Sequence, residues 1–156
     1  QQFPEDLDVI ALCVDAMMNR TPWLMWDLCA GVPNPDADTI ECRQMLETQI
    51  VGVRAVSGPF HPGLWHLYVH LMEMSPEPEK ALRVADELRG LVPDAGHLEH
   101  MSTHIYVLCG DYQAVVAANH AGIVADEKYL AYAGPMNIYT LYRCIIIILN
   151  CMARCF

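Results

Sequence analysis

Apolar residues recur at helical spacing along most of the chain. Between Asp6 and Met18 they fall at Leu7, Ile10, Ala11, Val14 and Met17, the stripe of a helix with one buried face. Asn19-Arg20-Thr21-Pro22 ends that stripe, because a residue before proline is pushed out of the helical region. Gly31-Val32-Pro33-Asn34-Pro35-Asp36 reads as a loop. Asp38 or Thr39 then caps a second helix reaching about Val53, with Ile40, Met45, Leu46 and Ile50 as its candidate buried positions. Ser57-Gly58-Pro59 breaks the pattern, and Pro62 suits the first turn of a third helix that reaches Met74. Ser75-Pro76-Glu77-Pro78 leads into a fourth, to about Leu91, and Pro93-Asp94-Ala95-Gly96 closes it. A fifth helix covers His97 to Leu108, Gly110-Asp111 turns into a sixth from Tyr112 to about Asp126, and Gly134-Pro135 precedes a last one from Asn137 onward. No strand-like alternation competes. The β-branched run Ile145–Ile148 favours strand locally, but its setting after a helical pattern predicts a buried helix. The fold class expected is all-α.

A period underlies this succession. Residues 62–95 laid over residues 96–129 give an offset of 34, at which His66 falls on His100, His70 on His104 and Leu64 on Leu98. Each such unit would be a helical hairpin that cannot bury its apolar face alone, so neighbours must stack.

In the first unit Trp65, Ala81 and Pro93, and in the second Tyr106, Gly110 and Tyr112, stand where tetratricopeptide repeats favour an aromatic, a small residue, a turn glycine and a closing proline. The chain therefore resembles the tetratricopeptide family, although Pro76 and Pro78 replace the turn glycine and its aromatic, and Glu99 stands where Trp is favoured. His61-Pro62-Gly63, Gly96-His97-Leu98-Glu99-His100-Met101, Phe3-Pro4-Glu5-Asp6-Leu7-Asp8 and Thr21-Pro22-Trp23 are similar to a histidine-rich, poorly characterised subfamily. That likeness covers most of residues 3–143. The tail from Ile145 to Phe156 departs from it, lacking the further histidines those relatives carry. The resemblance implies a right-handed α-solenoid of antiparallel hairpins. Its first helices, here residues 62–74 and 97–108, would line a concave groove that holds a peptide or partner helix. One helical domain over 1–156, a piece of a longer chain, is the expected organisation.

Composition narrows the function classes. Hydrophobic residues make up 54% of the sequence, which excludes a disordered chain. No apolar run reaches the roughly 18–20 residues of a membrane span. A net charge of −10 with nine Lys and Arg argues against a nucleic-acid partner. The seven cysteines include no C-x-x-C pair, and their odd number argues against a complete disulfide framework, so most are expected to be buried as small hydrophobes. Asn19-Arg20-Thr21 is a glycosylation sequon that matters only for a secreted chain; cytoplasmic and secreted locations both stay open.

The histidines carry the candidate chemistry. Six of the seven lie in two windows, His61, His66 and His70, then His97, His100 and His104. Members of each i,i+4 pair share a helix face. The 34-residue offset places His66, His70, His100 and His104 at equivalent points of neighbouring helices, and the resemblance turns those points toward the groove. Neutral imidazoles ligate transition metals, so these four form a candidate site for Zn, Cu or Fe. Glu73 and His97 are weaker candidates, and with a Glu73 carboxylate Fe or Mn becomes suitable. His61 is expected to be structural and His120 to lie on the surface. Met72, Met74 and Met101 are expected in the core, and Trp23, Trp26 and Trp65 to serve packing. Glu99 is a candidate acceptor for the His100 ring. Three functions remain open: a metal-binding protein, which could be an enzyme; an interaction scaffold; or a block that self-assembles end to end through the apolar tail from Cys144 to Phe156.

Overall fold

A computed structural model describes residues 5–155. Phe3 and Pro4 of the subfamily likeness, and the terminal Phe156, lie outside the described residues. The chain runs through α1 (Leu7–Met18), β1 (Trp26–Asp27), β2 (Val32–Pro33), α2 (Thr39–Ala55), α3 (Pro62–Glu73), a 3₁₀ turn (Pro78–Ala81), α4 (Leu82–Leu88), α5 (Gly96–Leu108), α6 (Tyr112–Ala133) and α7 (Tyr139–Ala153). The protein is all-α apart from the short β1–β2 pair. Among the described residues no helix is long and apolar enough to cross a membrane.

Local chemistry sets several helix starts. The Asp6 carboxylate accepts from the backbone N–H of Asp8 and Val9, satisfying two of the free donors that open α1. At α3, His61 Nδ1 accepts from Leu64 N–H at 3.2 Å while Pro62 occupies the first turn. His61 Nε2 meets Asp8 Oδ1 at 3.0 Å, so this histidine ties α3 to α1, a structural role as its sequence context predicts.

The core is continuous from α1 to α6. Ile10, Val14, Leu46, Leu64, Leu71, Met72, Met101 and Ile105 are all buried. Polar pins cross it. The buried Trp65 donates to Glu87 Oε2 at 2.9 Å, and Arg54 forks onto the same carboxylate. Trp26 donates to the Leu71 carbonyl at 2.7 Å, and the Tyr106 hydroxyl donates to Asp86 at 2.6 Å. Glu87 thus collects donors from α2 and α3 onto α4, an arrangement a charge half withdrawn from water requires.

Several expectations are corrected. Part of the predicted loop at Gly31–Asp36 pairs as β2 with β1, Trp26 opposite Pro33. Each strand has two residues, too short to alternate visibly. The buried stripe of α2 is Thr39, Cys42, Leu46 and Ile50, which leaves Ile40 60% exposed on the opposite phase. The fourth helix is broken, because Pro78 opens a 3₁₀ turn before α4 and α4 stops at Leu88. α6 runs past Asp126 to Ala133, since nothing between them breaks a helix before Gly134 at φ +75°. In α7 only Ile146 of the four isoleucines is buried. Cys42 is the one buried cysteine among those described; Cys29, Cys109, Cys144, Cys151 and Cys155 are exposed. Trp65 and Trp26 pack as expected, but Trp23 is 73% exposed.

Candidate metal centre

α3 and α5 lie side by side and parallel, and residues 31 apart meet across them: His66 with His97, and Glu73 with His104. On α3, His66, His70 and Glu73 follow each other at four and three residues, one stripe of the helix. On α5, His97, His100 and His104 form the facing stripe. The two stripes interleave. The ring of His66 is 4.7 Å from that of His70 and 5.1 Å from that of His97, and His70 and His104 are 5.8 Å apart.

Three of these rings can serve one ion. His66, His70 and His97 each present one ring nitrogen, and the three nitrogens lie within 4.8 Å of one another. The Nε2 atoms of His66 and His97 stand 3.2 Å apart. Two imidazole nitrogens at about 2.0–2.1 Å from a tetrahedral zinc would be about 3.3–3.4 Å apart, so this pair already has nearly the edge length of a coordination tetrahedron. His70 Nδ1 donates to Glu73 Oε1 at 2.8 Å, which leaves its Nε2 lone pair for a ligand.

The other two histidines of the candidate four go elsewhere. His104 Nδ1 donates to Glu73 Oε2, and its Nε2 faces His100 Nε2 at 3.1 Å. The buried His100 meets Asn119 Oδ1 through Nδ1 at 2.6 Å. His70, Glu73, His104, His100 and Asn119 therefore form one polar chain from α3 through α5 to α6. His97, a weaker candidate in the sequence, takes the third corner of the triad. The signal that finds it is the 31-residue spacing that joins His66 to His97, one helical turn short of the repeat. Glu99 does not orient His100; its carboxylate accepts from the Gly90 N–H at 2.9 Å. His120 is exposed on α6.

The electrostatics favour neutral rings. Burial, with His70, His97 and His104 nearby, pulls His66 down to about 3. Burial likewise holds His97 and His100 at about 4. Burial would push the Glu73 carboxyl up, but the hydrogen bonds from His104 and His70 outweigh it and bring it to about 2. At neutral pH His66, His97 and His100 are therefore uncharged imidazoles, near an ionised Glu73 carboxylate. The triad forms one wall of a cavity of about 300 Å³, completed by Asp15, Met18 and Trp23 from α1 and the segment after it, and by Tyr142 of α7.

Compared with protein-family models, with curated proteins and with solved structures, the chain gives no significant match.

Proposed function

We propose that the protein binds one divalent transition-metal ion, zinc or copper, through His66, His70 and His97. The observation that carries this reading is the convergence of their three ring nitrogens within 4.8 Å. Three neutral nitrogen ligands with a fourth position left open is the arrangement of reactive rather than purely structural zinc sites. Glu73 would act behind His70, fixing its tautomer and raising its basicity. Because both Glu73 oxygens are engaged by histidine N–H groups, the donor set is all-nitrogen, which favours zinc or copper over iron or manganese. Elemental analysis of the purified protein tests it: close to one metal per chain is expected, falling to background in His66→Ala/His97→Ala. Full loading of that double variant would overturn the assignment.

The frame that supports this centre is proposed to be a right-handed solenoid of tetratricopeptide type. Its support is the parallel course of α3 and α5, whose first residues Pro62 and Gly96 lie one 34-residue period apart.

A second reading, self-association, is favoured by one observation on α7. Leu141, Ile145, Ile148 and Met152 are 50–70% exposed at a four-three-four spacing, the seam of a helix that packs on another helix. Sedimentation velocity should show concentration-dependent oligomers that Ile145→Glu/Ile148→Glu disperses; a monomer at all concentrations would sink this reading.

A further inference from the structure

The cavity beside the triad is chemically two-sided. One wall is the set of His66, His70 and His97 with Glu73 behind them; the other is mainly Met18, Pro22, Trp23, Met25, Leu67 and Met74, with Asp15, Asn19 and Tyr142 as its polar positions. Among these Trp23 is unusual twice over. It has a positive φ of 59°, in a region that bulky L-residues seldom occupy, and its side chain is 73% exposed although it is the largest apolar group on this wall. A strained backbone that holds a large aromatic ring at the edge of a cavity is the kind of outlier that persists where a ligand uses it.

We infer that the cavity takes a small amphipathic carboxylate, its anionic head completing the metal's coordination and its apolar body lying against Trp23 and the methionine side chains. The inference rests on the metal reading above. The head group follows from charge. Three imidazole ligands bring no charge to a divalent ion, Glu73 is turned to His70 and His104, and Asp15, the cavity's other carboxylate, is not among the side chains whose ligand atoms converge, so the two offset the ion's charge only from a distance. An anionic oxygen donor is the natural fourth ligand. The body follows from the wall, where thioethers, a proline ring, a leucine and an indole face offer dispersion contacts that outweigh the polar groups of Asp15, Asn19 and Tyr142. The size follows from the volume. About 300 Å³ is the lower end of small-molecule pockets. It corresponds to roughly ten water volumes, hence about ten non-hydrogen atoms. A single aromatic ring with a one-carbon arm and a carboxylate meets that bound; a hexose phosphate or a peptide of several residues does not.

The test uses the full chain loaded with Co²⁺ in place of the native ion, so that ligation is visible in the metal's absorption bands. Acetate and phenylacetate are titrated in parallel. Phenylacetate should perturb the bands and bind at least about tenfold more tightly than acetate, the margin that burying one aromatic ring supplies. Trp23→Ala should erase most of that margin while Co²⁺ stoichiometry and the response to acetate stay as they were. If Co²⁺ binds with the bands of a low-coordinate nitrogen site but the two anions bind alike, the ligand proposal is overturned and the metal reading stands. If no such bands form, the metal reading fails and the ligand proposal fails with it. Retention of the full margin in Trp23→Ala would likewise overturn the role given to that side chain.

Discussion

His66 and His97 face each other Nε2 to Nε2 at 3.2 Å across the seam between α3 and α5. Two neutral rings so close are joined either by an Nε2–H of one tautomer donating to the lone pair of the other or by a metal between them, and burial keeps both rings uncharged. On the metal reading proposed above, the ion takes the place of that hydrogen bond. His97→Ala removes one of three ligands and should lower metal affinity at least about a hundredfold. His100→Ala, whose ring hydrogen-bonds to His104, Thr103 and Asn119 and not to the triad, should change it by less than about fivefold. Competition with a chromophoric chelator measures both. Equal losses in the two variants would instead point to the registered four, His66, His70, His100 and His104, acting together.

Glu73 is the joint between the triad and the buried polar chain. Glu73→Gln keeps its shape but loses the charge that fixes His70 and His104 with their Nδ1–H groups toward α3. Metal affinity should fall by about 10–100-fold, the usual effect of removing a carboxylate behind a ligating histidine. The metal-free variant should also lose stability, because two half-buried rings lose a charged acceptor. Chelator competition and thermal melts separate the two effects. An unchanged affinity would show that Glu73 only bridges helices.

The helices were legible in the sequence because their stripes are strong and their ends are marked by proline, glycine or a capping Asp. The candidate site was legible only in part, for a geometric reason. Residues one period apart, such as His66 and His100, occupy equivalent places on parallel helices, so their side chains point the same way and do not face each other. Contact falls to residues on the facing edges, a turn out of register, which is why His66 meets His97 and Glu73 meets His104. Pairwise features were beyond the pattern altogether. The β1–β2 pair is too short to alternate, and exposure of Trp23, Ile40 and most of the cysteines depends on which neighbours cover them, a tertiary property.

Acid should weaken the metal-free fold. His100 is 3% exposed, and its burial lowers its folded value to about 4, below the 6.5 of the open chain. A group depressed on folding contributes stability that is complete above its unfolded value and is lost as the pH falls through the folded one. For His66, His97 and His100 that window opens near 6.5 and extends to about 3–4. Glu73 adds to the same trend from 4.5 down to about 2. Asp126 and Glu99, raised by burial, act in the opposite sense and are relieved when protonated. The histidines dominate above pH 5. The melting temperature of the chelator-treated protein should be roughly 5 °C or more lower at pH 5 than at pH 7.5. Calorimetry would contradict this with a melting point that holds steady or rises on acidification.

The start of α5 is fixed by a glycine for want of space. A Cβ built on Gly96 would lie 2.1 Å from Asp126 Oδ1 and 2.8 Å from the carbonyl of Gly122, so α6 passes too close for any side chain. Asp126 is 3% exposed and the Gly122 carbonyl is part of a helix, so neither can step aside without parting α5 from α6. Gly96→Ala should therefore destabilise by about 1–3 kcal/mol, roughly 2–12 °C in melting temperature, despite alanine's better helix propensity. Gly52 provides the contrast. It lies inside α2, exposed, with nothing within 4 Å of its added Cβ, so Gly52→Ala should stabilise by about 0.5–1 kcal/mol. The strain at Gly96 also has a functional reading, since the next residue is His97. Displacing the first turn of α5 moves that imidazole away from His66, so Gly96→Ala should lose metal affinity as well as stability, while Gly52→Ala keeps its affinity. Thermal melts and chelator competition on the two variants, compared side by side, test whether close packing of α5 on α6 sets the third corner of the triad. A Gly96→Ala protein with unaltered affinity would show that His97 reaches His66 independently of that contact.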